Sequence, residues 1–169
     1  CLNEDVDPFG REVESQLKKE SSLPVFTFQD ASLHGPEDVL KGDGTPYRVY
    51  TPFSKRWLPL KKPSPVPTPK NLNSTFGLKS LTLPTLNDWK LKQGDWDAVS
   101  GGEKAARKRM KHALENRIGH YDNNRDIPSV SGTSRLSQDL RWGTLSIREL
   151  YQEASKVNSE QYLKELAWR

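Results

Sequence analysis

Between Tyr121 and Ser146 the sequence gathers side chains that can hold a phosphate. Thr133, Ser134 and Ser137 set three hydroxyls around one turn, with Arg135 among them. Gly132, just ahead, lets the backbone come close to a ligand. Leu136 and Leu140 mark the start of a helix, and hydroxyls beside the free amides of a helix start make a ready phosphate site. The same residues also read as an ordinary Ser/Thr helix cap, and alone they favour that plainer reading. Upstream, Arg125 can fork onto a phosphate or pair with adjacent Asp126. Near the end of the chain, Glu165 offers a hydrogen-bonding carboxylate. Trp168 offers an aromatic plane, or simply a core side chain, and Arg169 a cation.

Other chemistries find less support. Cys1 is the single cysteine, which excludes an internal disulfide and a cysteine-rich zinc site. Glu4, Asp5 and Asp7 cluster, but their spacing fits no cation loop, and Asp7 suits a helix start. His34, His112 and His120 are scattered. Lys104, Arg107, Lys108 and Lys111 read as the solvated face of a helix rather than a nucleic-acid track. A net charge of +4 permits a polyanionic partner without demanding one.

These residues must be positioned by elements whose signals alternate along the chain. Asp7 then Pro8 opens a helix running to about Glu20, with Phe9, Val13 and Leu17 as one apolar stripe. Val25 to Phe28 reads as a buried strand, and helix then strand is half of a βαβ repeat. Tyr47, Tyr50, Phe53 and Trp57 follow a turn cluster, and Pro52 would start a short helix with Phe53 and Trp57 on one face. From Pro59 to about Ser100 the composition turns proline-rich, as in an interdomain linker, with Trp89 and Trp96 placed to pin it. Beyond it the pattern is helical. Ser100 and Glu103 have capping-box spacing, Ala106, Met110, Ala113, Leu114 and Ile118 form a stripe, and Gly119 is a natural stop. Ser146 and Glu149 form a second box, and a last helix begins near Ser159 with Tyr162, Leu163 and Leu166 inward.

Only 33% of the 169 residues are apolar and 28% are charged, so either long solvated connections or a core completed from outside is expected. The chain opens without Met in an acidic loop and ends inside a helical pattern, so both ends read as cut from something longer. No apolar run approaches the roughly 20 residues of a bilayer span, and no secretory leader is present. A cytoplasmic, monomeric protein is expected.

The run from Gly102 to Arg148 resembles the opening of the flavin domain of the photolyase/cryptochrome family. The shared features are Gly102-Glu103, Tyr121, Arg125-Asp126-Ile127-Pro128, Thr133 to Ser137, and Gly143-Thr144-Leu145-Ser146, in order. Pro46 to Phe53 resembles the family's segment ahead of its linker, and Glu165-Leu166-Ala167-Trp168-Arg169 resembles the start of a later helix. The resemblance implies an α/β part followed by an all-α part. Residues 1–58 would end a Rossmann-like antenna domain, 59–99 would be the linker, and 100–169 would begin a helical FAD-binding domain. It implies FAD held by Tyr121, Thr133, Ser134, Arg135, Leu136, Ser137 and Tyr162. Tyr162 departs mildly from the family's usual Trp and brings a hydroxyl that needs a partner. It implies DNA contacts from Arg125, Glu165, Trp168 and Arg169, with Glu165 and Trp168 meeting a flipped pyrimidine dimer. The implied activity is light-driven repair of cyclobutane pyrimidine dimers, with a blue-light receptor lacking repair as the alternative. The acidic loop would border the pocket of an antenna pigment, a folate or a deazaflavin. This stretch alone would be inactive.

Overall fold

In the computed structural model, residues 1–71, 77, 79–92 and 99–168 are described. Strand β1 is Leu2–Asn3, helix α1 is Pro8–Glu20 and strand β2 is Thr27–Phe28. Helix α1 starts as its sequence dictates: the Asp7 carboxylate accepts a 2.9 Å hydrogen bond from the Phe9 amide, and Pro8 occupies a first-turn position. The two strands pair in parallel, Leu2 opposite Thr27 and Asn3 opposite Phe28, with α1 as the crossover. The strand expected over Val25–Phe28 thus shortens to its last two residues. So narrow a sheet cannot cover α1, and its apolar stripe of Phe9, Val13 and Leu17 lies exposed.

Helix α2, Tyr50–Trp57, begins two residues ahead of Pro52, which therefore sits inside its first turn. Its anchor is Trp57, 2% exposed, whose ring meets the edges of His34 and Tyr151. Lys62 closes the helix end. Its ammonium lies 3.8 Å from the centroid of the Trp57 ring and donates to the carbonyls of Trp57, Leu58 and Leu60.

Among the described residues from 58 to 102 there is no helix or strand. Trp89, expected to pin this stretch, is largely exposed among the described residues. Its expected companion, Trp96, lies outside the described residues.

Helix α3 spans Glu103–Asn116, followed by a 3₁₀ turn, Ile118–His120, and α4, Tyr121–Asn124. The cap of α3 is Gly102 rather than Ser100, because the chain enters at φ 89°, where only glycine sits without strain. Gly119 does not stop the helix; it lies within the 3₁₀ turn beyond it. Helices α5, Ser137–Arg141, α6, Ile147–Ala154, and α7, Glu160–Glu165, complete the order, with a 3₁₀ turn at Leu166–Trp168. Ser146 and Ser159 cap α6 and α7 through their hydroxyls. Glu149 does not close its box; it forms a salt bridge with Arg107 at 2.8 Å, joining α3 to α6.

Ala106, Met110, Ile118, Leu136, Leu150 and Leu166 build one core, which Leu33, Val39 and Trp57 join from the first part of the chain. Among the described residues from 99 to 168 there is no strand, so the chain is mostly helical. None of the described helices is long and apolar enough to cross a membrane.

Candidate functional site

The run from Gly132 to Ser137 is shaped by two backbone demands. A Cβ on Gly132 would stand 2.5 Å from the Asn124 carbonyl, so only glycine lets the run pass beside α4. Arg135 then takes the left-handed region at φ 54°. Leu136, 1% exposed, drives this turn into the core. It therefore anchors the run. The helix that follows has no side-chain cap. The plain helix-cap reading of Thr133, Ser134 and Ser137 therefore does not hold.

Behind the run stands a buried charge. Asp139 is 2% exposed and accepts from Arg109 at 2.9 and 2.5 Å, from Gln138 at 3.1 Å and from Thr144 at 3.1 Å. Arg109 in turn donates to the Ser100 carbonyl at 2.7 Å. The Arg109 guanidinium holds the Asp139 carboxyl below the usual carboxylate range, against burial. This cluster fixes α5, and so the run, against α3.

Thr133, Ser134, Arg135 and Ser137 line a cleft of about 860 Å³ together with Lys108, Arg109, His112 and Arg117 of the facing helix and its end. Arg117 also donates to the Thr133 carbonyl at 3.3 Å. Three hydroxyls facing several cations suit an anionic ligand. The cationic side was missed in the sequence. Lys108 and His112 stand four apart, the spacing of one helical face, but the stripe read as solvated.

Ser134 also borders a second cluster. Tyr121 and Tyr162 meet edge to face, ring centroids 5.1 Å apart. Tyr162 is 4% exposed, and its hydroxyl has no hydrogen-bond partner among the described residues. Burial pushes this phenol up to about 12; the nearby Ser134 hydroxyl pulls the other way but falls short of a full hydrogen bond. Burial also raises the Tyr121 phenol, with a further push from Glu165.

Arg125 lies over the Tyr121 ring at 5.9 Å and forms a short hydrogen bond to Glu165. Its contact with Asp126, at 3.4 Å, is the looser one. Gln161 donates to the same Glu165 oxygen at 2.9 Å. Trp168 is no core residue. It is 66% exposed and stacks on Tyr50 of α2. Arg169 lies outside the described residues.

The expected residues thus fall into three neighbouring groups: the cleft, the Tyr121–Tyr162 pair with Ser134, and the Arg125–Glu165 pair. Trp168 stands three residues past the end of α7.

Residues 1–70 match the family model described as DNA photolyase. The deoxyribodipyrimidine photo-lyase of Alkalihalophilus pseudofirmus is 39% identical over 88% of this chain and 33% of its own length. That of a Synechococcus strain is 33% identical over 99% of this chain and 39% of its own. A bacterial class III photolyase from Agrobacterium tumefaciens superposes with a TM-score of 0.83 at 27% identity, over 99% of this chain and 38% of that one. The chain therefore spans about a third of the length of the curated relatives it matches.

Proposed function

We propose that the chain belongs to the DNA photolyase family, and that the protein it is part of repairs cyclobutane pyrimidine dimers in DNA, driven by light through reduced FAD. Residues 1–58 then end an α/β antenna domain, 59–99 form the linker and 100–169 begin the flavin domain. The observation that carries the reading is contiguity. The residues expected at the flavin (Tyr121, Tyr162, Ser134) and those expected at DNA (Arg125, Glu165) adjoin through the Arg125 guanidinium over Tyr121.

The residues fit the cofactor. A buried phenol without a partner at Tyr162 beside Ser134 awaits a polar ligand atom. The hydroxyls of Thr133, Ser134 and Ser137, with Arg135 and Arg117 nearby, suit a diphosphate. When bound, reduced flavin supplies the light-excited electron that splits the dimer. Arg125 holds the DNA backbone by charge and fork geometry. Glu165 accepts from the edge of the extruded base, and the plane of Trp168 packs on it. No side chain here acts as an acid or base. Any antenna pigment, folate or deazaflavin, would lie outside this stretch, with the acidic loop of Glu4, Asp5 and Asp7 bordering its pocket.

The test uses the full-length protein. Purified material should carry flavin absorbance and, once reduced and illuminated, should remove dimers from DNA. Flavin without dimer removal would give the reading to a blue-light receptor. Absence of flavin would overturn it.

A further inference from the structure

We propose that Tyr50 is a positioning residue for lesion recognition, holding the indole of Trp168 from behind so that its free face meets the extruded pyrimidine. This rests on the reading of Trp168 given above. Tyr50 and Trp168 stack with centroids 4.2 Å apart and planes within 8°. The stack covers one face of the indole, and no described residue covers the other, Trp168 being 66% exposed within this stretch. No other aromatic ring lies against Trp168 among the described residues.

Tyr50 is itself held at both ends. Its hydroxyl donates a 2.5 Å hydrogen bond to the Lys164 carbonyl, one residue before Glu165. Its ring leans on Phe53, one turn along α2, at 6.4 Å. Helix α2 is in turn locked by buried Trp57. Trp168 closes a short 3₁₀ turn, an element too small to fix a large side chain by itself. A ring on a rigid helix, tied to the end of α7, supplies that missing constraint. A preset plane receives a base with less ordering cost than a free one.

The test compares binding of the full-length protein to a duplex with one cyclobutane thymine dimer and to the matched undamaged duplex. Two variants are used. Tyr50→Met keeps apolar bulk but has no ring plane; Tyr50→Phe keeps the plane and loses the hydroxyl. A second readout is the fluorine resonance of Trp168 in 5-fluorotryptophan-labelled protein, assigned by its loss in Trp168→Phe. Tyr50→Met should lower the lesion preference roughly three- to tenfold, with undamaged binding and flavin content unchanged, and should move the Trp168 resonance. Tyr50→Phe should keep the resonance near its place and retain most of the preference. If Tyr50→Met fails to fold, Tyr50→Leu carries the same expectations. Preference and resonance unchanged in the ring-less variant, while Trp168→Ala loses preference, would overturn the role of Tyr50 alone. Should Trp168→Ala also keep its preference, the reading of Trp168 itself fails.

Discussion

The guanidinium of Arg125 and the carboxylate of Glu165 share a short hydrogen bond that ties the end of α4 to the end of α7. Residues expected to serve the DNA backbone and the lesion separately are therefore coupled. Arg125→Ala in the full-length protein should weaken binding to damaged and undamaged duplex alike through the lost phosphate contact, flatten the salt dependence by roughly one unit of slope, and change lesion preference only through the freed Glu165. Glu165→Gln should release Arg125, tightening undamaged binding while reducing lesion preference. A double-mutant cycle measured at several salt concentrations should show the two changes to be non-additive.

The hydroxyl run should govern cofactor content. Thr133, Ser134 and Ser137 changed together to Ala should strip or weaken flavin, each lost phosphate hydrogen bond costing about 1.5–3 kcal/mol. The check is flavin absorbance per protein after purification and dialysis. Unchanged content would remove the run from the site.

Local signals in the sequence carried the helices well, because caps and stripes act within one turn. Asp7-Pro8, Ser146 and Ser159 each start a helix as their chemistry demands. Ser100 failed as a cap because Gly102 offers the backbone a sharper entry, and nothing in a capping-box pattern weighs φ. Long-range contacts were illegible. Arg125 finds Glu165 40 positions away, Arg109 finds Asp139 30 away, and Tyr50 reaches Lys164 across 114. Arg125 looked complete beside Asp126, its nearer neighbour. The orphaned Tyr162 hydroxyl was foreshadowed, since a buried phenol needs a partner.

The Arg109–Asp139 pair should report on the stability of the run it backs. Arg109→Met leaves a buried carboxylate without its cation and should cost about 3–5 kcal/mol, much of it restored by adding Asp139→Leu. The folded-state value of Asp139 lies below its unfolded one, so this contribution is present above about pH 4 and is lost as pH falls through the lowered value. Denaturant unfolding of the full-length protein between neutral and acid pH checks both. Equal acid sensitivity in wild type and the double variant would count against the pair.

Tyr162 makes the opposite pH statement, and it separates two roles for one hydroxyl. Its folded value, about 12, lies above the ordinary 10 of a free phenol. Between those values the folded chain binds the more protons, so stability is full below about pH 10 and falls as pH climbs toward 12. A titration of phenolate absorbance should show several raised tyrosines, the latest of which vanishes in Tyr162→Phe. At neutral pH in flavin-free protein, Tyr162→Phe removes a buried hydroxyl with no partner and should be neutral or stabilising by about 1 kcal/mol. With flavin bound the sign should reverse if the cofactor supplies the missing partner. The variant would then bind flavin less tightly, by roughly five- to tenfold, the worth of one neutral hydrogen bond. Flavin titration of apoprotein, wild type against Tyr162→Phe, decides it. An unchanged affinity would show that the phenol is filler in the core, while its ring edge against Tyr121 could still pack beside the cofactor.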